Sequence, residues 1–196
     1  WLIAKQGNKP QTANQRIAAI NSYLHFAAGE DIALSSVRIS IATIPMLRAE
    51  KPQVEGISLN ALKAIFDAIP NIPRGRRDLA FLVLLYDSGA RISEILTLRT
   101  EDLQMDGQYP HVHLFGKGQK NREVPLGKSA VTLLKGYIQE LQNTEKLSSD
   151  LLFHLKREKD IGPMSYDCVS KFIKKYADAA RESCPEVPVN VTAHMF

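Results

Sequence analysis

An arginine and a glutamate three residues apart, Arg91 and Glu94, follow Gly89 where one helical pattern ends and another begins. The sequence predicts that Arg91 opens a short helix over residues 91–98 and that this helix start is buried. A forked guanidinium there grips two phosphate oxygens at once, and the backbone N–H groups of a helix start also favour an anion. Residues three apart share a helix face, so Glu94 is placed to brace Arg91. Because such pairs are also common on solvated helices, the spacing alone leaves a purely structural pair as an alternative.

A basic turn follows in which Lys117 lies between Gly116 and Gly118, with Lys120 and Arg122 close behind. Flanking glycines allow a turn to approach a substrate backbone closely. A lysine at the tip of a hairpin is placed to protonate an oxygen that leaves a phosphodiester, and the other two cations are placed to contact phosphates. The alternative is a solvated basic turn with no part in catalysis.

Histidines occur at two further places of interest. His194 comes two residues after Thr192, a residue type that favours helix N-caps, so it is predicted in the first turn of a helix that begins near Ala193. The positive end of a helix disfavours imidazolium, and a neutral ring there exchanges hydrogen bonds with a phosphate. His111 and His113 share a face of a predicted strand, but with no third ligand nearby in the sequence we predict a partly exposed strand face and no metal site.

The charge balance leans weakly towards a polyanionic partner. The chain of 196 residues carries 25 Lys and Arg against 21 Asp and Glu, which gives a net charge of +4, and its pI is near 9.0. Arg74, Arg76 and Arg77 form a basic group suited to phosphate neutralisation, although a solvated face is the commoner role for such a group. P-loop, zinc-protease, lipase-type and dinucleotide-binding motifs are absent from the sequence, so it gives no support to those classes.

Neither membrane insertion nor secretion is predicted. The apolar run at residues 79–85 is far shorter than the ~20 residues that cross a bilayer, and the sequence opens without a signal segment. Cys168 and Cys184 lack the spacing of a zinc or redox motif, so we predict reduced thiols in a cytoplasmic protein.

The hydrophobic patterning predicts a mainly α fold with one small antiparallel β-sheet, an α+β arrangement. Apolar residues recur at helical spacing over residues 12–28, 36–44, 58–69, 79–86, 130–141 and 165–180. The first of these helices starts with a capping-box pattern at Thr12 and Gln15, and the sheet falls between residues 103 and 126. A polar stretch with proline and glycine, residues 50–56, predicts a boundary between domains at residues 1–51 and 52–196.

Three segments together closely resemble the tyrosine recombinase, or phage-integrase, family: residues 89–98 around Arg91, residues 115–126 around Lys117, and Thr192 to His194. The resemblance covers essentially the whole chain. It implies a DNA breaking-rejoining catalytic core in residues 52–196, incomplete at its C-terminus, after the last helices of a DNA-clamping core-binding domain in residues 1–51. It also implies double-stranded DNA as the partner, a synaptic tetramer of the full-length protein, and strand transfer without ATP, a metal or another cofactor.

The resemblance also implies a role for each residue. In that family a tyrosine hydroxyl attacks a DNA phosphodiester, which gives a 3′-phosphotyrosyl link and a free 5′-hydroxyl. By resemblance, Arg91 stabilises charge on the non-bridging phosphate oxygens, with Glu94 as its brace. Lys117 is then the general acid for the leaving 5′ oxygen, and His194 belongs to an H-x-x-R motif that orients the phosphate. The expected DNA contacts are Arg74, Arg76, Arg77, Lys120 and Arg122.

In the family pattern the arginine of the H-x-x-R motif would follow Phe196, and the tyrosine nucleophile would lie further downstream. None of the six tyrosines precedes a family-like tail, and Tyr166 and Tyr176 are predicted to be packing residues. We therefore expect a site-specific recombinase or integrase of a mobile element, of which this chain is an inactive fragment. Two alternatives stay open: a non-catalytic DNA-binding protein on a recombinase scaffold and, less favoured, a relative of the type IB topoisomerases.

Overall fold

Seven α-helices and two small antiparallel sheets form the part of the chain that the computed structural model describes, which is residues 3–49, 56–116, 121–144, 150–156 and 161–196. Residues 142–144, 156 and 161 are described by their backbone alone. The predicted mainly α fold with a small antiparallel sheet is confirmed. The chain divides into two units, Trp1–Val54 and Glu55–Phe196, whereas the sequence analysis places the boundary after residue 51.

The first unit is a pair of helices. Its elements are α1 (Pro10–Glu30), a 3-10 turn (Ile32–Leu34) and α2 (Ser35–Ala42). The predicted Thr12 capping box is wrong, because the N-cap residue of α1 is Lys9 and a proline, whose fixed φ suits a helix start, takes the first helical position. The side-chain amide of Asn14 fixes the segment after α2, since it exchanges two hydrogen bonds of 2.9 Å with the backbone N–H and carbonyl of Leu47.

The described part of the second unit contains five α-helices. Its helices are α3 (Leu59–Asp67), α4 (Pro73–Ser88), α5 (Ile92–Leu96), α6 (Lys128–Thr144) and α7 (Tyr166–Arg181). Ser58 caps α3, and its hydroxyl oxygen accepts from the Ala61 N–H. Helices α5 and α6 pack on α4, and α3 packs on α7. Phe81 of α4 meets Phe153 and Phe172 edge to face, with ring centroids 5.0 and 5.8 Å apart, and so joins α4 to its neighbours.

The predicted buried helix lies within α4, which begins earlier than the apolar run, at a proline. Phe81, Leu82 and Leu84 of this helix are fully buried. Gly89 ends the helix with φ at +56°, in the left-handed region that a residue without a Cβ adopts at no steric cost. The chain therefore turns sharply out of α4 and enters α5 after only two further residues.

The main sheet lies between α5 and α6. Its strands, in spatial order, are β1 (Leu103–Gln104), β2 (His111–Phe115) and β3 (Asn121–Pro125), paired antiparallel. Val112 and Leu114 of β2 are fully buried, and Arg122 shares their inward face because it pairs with Leu114. His113 pairs with Glu123 on the outward face. A second antiparallel pair, β4 (His154–Lys156) and β5 (Ile161–Pro163), precedes α7.

Gly75, in the first turn of α4, provides a test of this packing. A Cβ at this position would lie 1.9 Å from the carbonyl oxygen of Pro70. Because the obstacle is backbone, we expect Gly75→Ala to lower the free energy of unfolding by about 2–3 kcal/mol. In the matched control, Gly136→Ala on the exposed side of α6, the new methyl meets no atom within 4 Å. There we expect a gain of about 0.5–1 kcal/mol from helix propensity. Denaturant titrations followed by circular dichroism measure both values, and equal effects would contradict the close approach.

Candidate functional site

The corner between α4 and α5 positions Arg91 and Glu94. Arg91 is the N-cap residue of α5, and its backbone N–H donates to Glu94 Oε2 at 2.8 Å. Its guanidinium Nη1 donates to Glu94 Oε1 at 3.1 Å. A glutamate at the third helical position that reaches back to the N-cap N–H satisfies a donor that the helix leaves unpaired. The same carboxylate therefore starts the helix and holds the arginine.

The inward face of β3 brings a second arginine to this carboxylate. Arg122 Nη1 donates to Glu94 Oε1 at 3.0 Å and Nη2 donates to Oε2 at 2.8 Å, which makes the pair bidentate. The Glu94 side chain is only 4% exposed, so these bonds replace the water that it lost on burial. The sequence analysis treats Arg122 as a DNA contact and misses this pairing. The alternation along β3, which puts Arg122 and Val124 on one face, was the available signal.

Two arginines around one glutamate leave a net charge of +1 in this cluster of Arg91, Glu94 and Arg122. The hydrogen bonds from Arg122, helped by the backbone N–H of Arg91, lower the pKa of Glu94 to about 2. The same pairing raises the pKa of Arg122 above its usual value. Glu94 therefore remains ionised at neutral pH, and the cluster keeps its excess positive charge.

Arg91 is the residue of the cluster whose charge is most exposed to solvent. Its side chain is 68% exposed, so the prediction of a buried arginine is wrong, although its neighbours Ala90 and Ile92 are buried. Within the described residues, Nε and Nη2 of Arg91 have no hydrogen-bond partner. An open cavity of about 470 Å³ lies beside them, large enough for a phosphate group, and is lined by Arg91, Ser93, Glu94, Phe115 and Gly116. The arrangement suits the binding of an anion in this cavity.

The other two predicted catalytic residues, Lys117 and His194, are not part of this cluster in the described structure. Lys117, like Lys120, lies outside the described residues, but it directly follows Gly116 of the cavity lining along the chain. His194 is exposed and lies in a single 3-10 turn, Ala193–Met195, where the sequence predicts a helix start. Among the described residues, no hydrogen bond or ion pair joins His194 to Arg91, Glu94 or Arg122. Hydrogen bonds thus join Arg91, Glu94 and Arg122 in one cluster, and among the described residues none of them joins His194 to it.

The three arginines at the start of α4 have different surroundings. Arg76 makes a bidentate pair with Glu140 of α6, in which Nε donates to Oε2 at 2.6 Å and Nη2 donates to Oε1. Arg77 donates to the buried Asp78 carboxylate from Nε at 3.0 Å and Nη2 at 2.6 Å. Arg74 is exposed, and the described part of the chain offers it no ion pair. Carboxylates within the fold therefore compensate the charges of Arg76 and Arg77.

The two tyrosines predicted to be packing residues also differ. Tyr176 is buried, and its hydroxyl donates to Asp78 Oδ2 at 2.9 Å, which confirms a packing role. Burial, with the hydrogen bond to Asp78, raises the pKa of Tyr176 to about 12, so this hydroxyl is a poor nucleophile. Tyr166 is 55% exposed at the first position of α7, so its predicted packing role is wrong.

Known proteins are similar to this chain in sequence. The family profile described as "Phage integrase family" matches residues 56–196. This chain belongs to the phage integrase family. A Sinorhizobium fredii protein named as an integrase/recombinase, y4rD, is 36% identical over 140 residues, which cover 71% of this chain and 50% of that protein. Tyrosine recombinase XerD of Chlorobaculum tepidum is 30% identical over 188 residues, which cover 93% of this chain and 59% of that protein.

The fold of this integrase-family chain also matches solved structures. The integrase of the Tn1549 transposon, in complex with transposon right end DNA, superposes with a TM-score of 0.71 at 17% identity, over 98% of this chain and 66% of that one. The chain spans about half the length of several curated relatives that it matches. None of its described helices is long and apolar enough to cross a bilayer.

The buried Glu94 carboxylate should make the stability of the fold depend on pH. We expect Glu94→Gln to lower the free energy of unfolding by about 2 kcal/mol at neutral pH, because charge-assisted hydrogen bonds become neutral ones. The pKa of Glu94 falls from 4.5 to about 2 on folding. The ionised carboxylate therefore stabilises the fold fully above the unfolded value and loses this contribution as the pH falls through the lower one. The difference in the free energy of unfolding between wild type and Glu94→Gln should therefore become smaller as the pH falls through this range.

Denaturant titrations from neutral pH down to about pH 3 measure this gap. Glu101→Gln is the control, because the Glu101 side chain is 75% exposed and lies 3.8 Å from Arg99. Its effect should stay close to zero throughout. A gap for Glu94→Gln that is independent of pH would contradict the ionic role of the carboxylate.

Proposed function

We propose that this chain is part of a tyrosine recombinase that cuts and rejoins double-stranded DNA at specific sites. The observation that carries the proposal is the exposed Arg91 guanidinium, fixed at a cavity by a buried glutamate that a second arginine also holds. In the proposed step a tyrosine oxygen bonds to the phosphorus, and the bond to the 5′ oxygen breaks. That oxygen leaves with a proton as a 5′-hydroxyl, so the phosphodiester energy is kept in the 3′-phosphotyrosyl bond.

In this proposal, the residues of the cluster and the two other predicted catalytic residues each have a separate role. Arg91 binds the non-bridging oxygens, which gain charge in the transition state. Glu94 fixes the guanidinium from behind, and Arg122 acts through Glu94 as a positioning residue. Lys117 protonates the leaving oxygen, and His194 orients the phosphate, as the family motifs imply. The identity of the tyrosine nucleophile stays a prediction.

The DNA partner is supported by relatives as well as by charge. The Tn1549 integrase and the XerH recombinase were both solved with DNA substrates bound. In this chain, Arg74 is exposed. Lys120 follows the cavity residue Gly116 by four positions in the sequence, and we propose that both cations contact phosphates. We further propose that the first unit belongs to a DNA-clamping domain, that the whole protein forms a synaptic tetramer, and that it acts on a mobile element in the cytoplasm.

The test uses the protein expressed from its full gene and DNA that spans the gene's flanking junctions, with a nick to trap the intermediate. We expect a covalent protein–DNA adduct on a tyrosine, seen as a band that survives denaturing gels. Arg91→Ala should reduce adduct formation by about a thousandfold, the usual cost of a lost transition-state contact, and leave DNA binding in a mobility-shift assay nearly unchanged. Arg99→Ala, a surface arginine paired with Asp150 away from the cavity, is the control and should keep full activity.

The other outcomes separate the alternatives. A mobility shift without an adduct would contradict the enzyme and support a DNA-binding protein on this scaffold. An adduct with relaxation of supercoils, but no product that joins two sites, would support a topoisomerase. Equal loss of binding and cleavage in Arg91→Ala would assign Arg91 to general phosphate contact or folding instead.

Lys117 has a test of its own. If Lys117 supplies the proton to the leaving 5′ oxygen, a DNA with sulfur at that position should restore cleavage to Lys117→Ala, because a thiolate leaves without a proton. The same substrate should not rescue Arg91→Ala, whose defect lies in charge on the non-bridging oxygens. Strand cleavage rates on oxygen and sulfur substrates give the comparison, and an unrescued Lys117→Ala would remove Lys117 from the general-acid role.

A further inference from the structure

The outward face of the main sheet brings three metal-binding side chains together: His111 and His113 of β2 and Glu123 of β3. Their ligand atoms lie within 4.8 Å of one another. The two imidazole rings meet edge to face, 4.8 Å between centroids, and their Nε2 atoms are 3.2 Å apart. The sequence shows no acidic partner near the two histidines, but the strand register supplies a carboxylate, because Glu123 pairs directly with His113.

The hydrogen-bond partners of the two rings determine their tautomers. His111 Nδ1 lies 2.9 Å from the carbonyl oxygen of Tyr109, which only accepts, so the proton of a neutral ring is on Nδ1. His113 Nδ1 lies 3.5 Å from Glu123 Oε1, and the carboxylate likewise favours a proton on Nδ1. Each Nε2 is then left with a lone pair, and the two lone pairs face each other across 3.2 Å. Such a contact is repulsive unless a cation lies between them.

The distance suits a metal ion. Two nitrogens that each lie about 2.05 Å from a tetrahedral ion are about 3.3 Å apart, which agrees with the observed separation. Metal-bound histidines typically donate their other ring N–H to a backbone carbonyl or a carboxylate, and these are the partners of His111 and His113. Imidazole nitrogens favour zinc, copper and nickel over magnesium and calcium.

We propose that His111 Nε2 and His113 Nε2 bind one divalent transition-metal ion of the zinc class on the outward face of this sheet. The Tyr109 carbonyl and Glu123 orient the two rings. The His113 and Glu123 side chains are 42% and 65% exposed, so an ion enters from solvent and keeps positions for water or a further ligand. This site is separate from the cluster of Arg91, Glu94 and Arg122, which lies on the inward side of the same sheet. Both proposed ligands lie on β2, and β3 contributes through Glu123, which orients the His113 ring.

The test measures zinc binding to the reduced 196-residue chain by titration calorimetry, with Cys168→Ser and Cys184→Ser in the background to remove thiol ligands. We expect one zinc ion per chain. His111→Ala and His113→Ala should each weaken zinc binding more than Glu123→Gln does, because Glu123 only orients a ring and such a partner contributes about 10–100-fold in affinity. His25→Ala removes an exposed histidine of α1 and should change nothing. Circular dichroism checks that each variant is folded.

A second measurement needs no substitution in the site. Two-bond proton–nitrogen spectra of the histidine rings should show the Nε2 signals of His111 and His113 shifting on addition of zinc, while their Nδ1 signals keep the protonated position. Absence of zinc binding would overturn the proposal and leave a shared proton between the rings. Binding that is equally strong without His111 and His113, or a shift of the His25 or His194 signals instead, would also overturn it.

Discussion

A carboxylate that is almost wholly removed from water, Glu94, holds the candidate site together. An ion in this position is stable only when charged partners and hydrogen-bond donors replace its hydration, and here two guanidinium groups and one backbone N–H do so. These contacts join the start of α5 to strand β3. They also hold the Arg91 side chain, which opens into the cavity. The position of the exposed arginine therefore depends on the packing of the sheet, because Arg122 reaches Glu94 only when β3 lies in its observed place.

The positive charge that remains for an external anion follows from these pairings rather than from composition. Arg76 and Arg77 each face a separate carboxylate of the fold, whereas Arg91 and Arg122 share Glu94, which leaves their cluster with an excess charge. A count of basic residues treats all four alike. The distribution of acidic partners in three dimensions distinguishes a guanidinium that stabilises helix packing from one that is able to grip a phosphate.

The sequence predicted the elements whose hydrophobic period is long and regular. The buried part of α4 and the antiparallel strands β2 and β3 appear as expected, because their patterns are local in the sequence. The errors concern properties that depend on contacts far along the chain. The partner of Arg122 is 28 residues away, and the neighbour of His113 is set by strand register. The start of α1 was missed for a local reason, since Pro10 outweighed the Thr12 pattern.

Strand β3 places opposite charges on its two faces at adjacent positions. Arg122 points towards the buried Glu94, and the next residue, Glu123, points away towards two imidazoles. A slip of one residue in the pairing of β2 with β3 would exchange the two faces. The Glu123 carboxylate would then face the buried Glu94 carboxylate. The Arg122 guanidinium would face the two histidines, so each face would exchange an attraction for a repulsion. The charges on the two faces of β3 thus favour the observed pairing of β2 with β3 independently of the hydrophobic pattern.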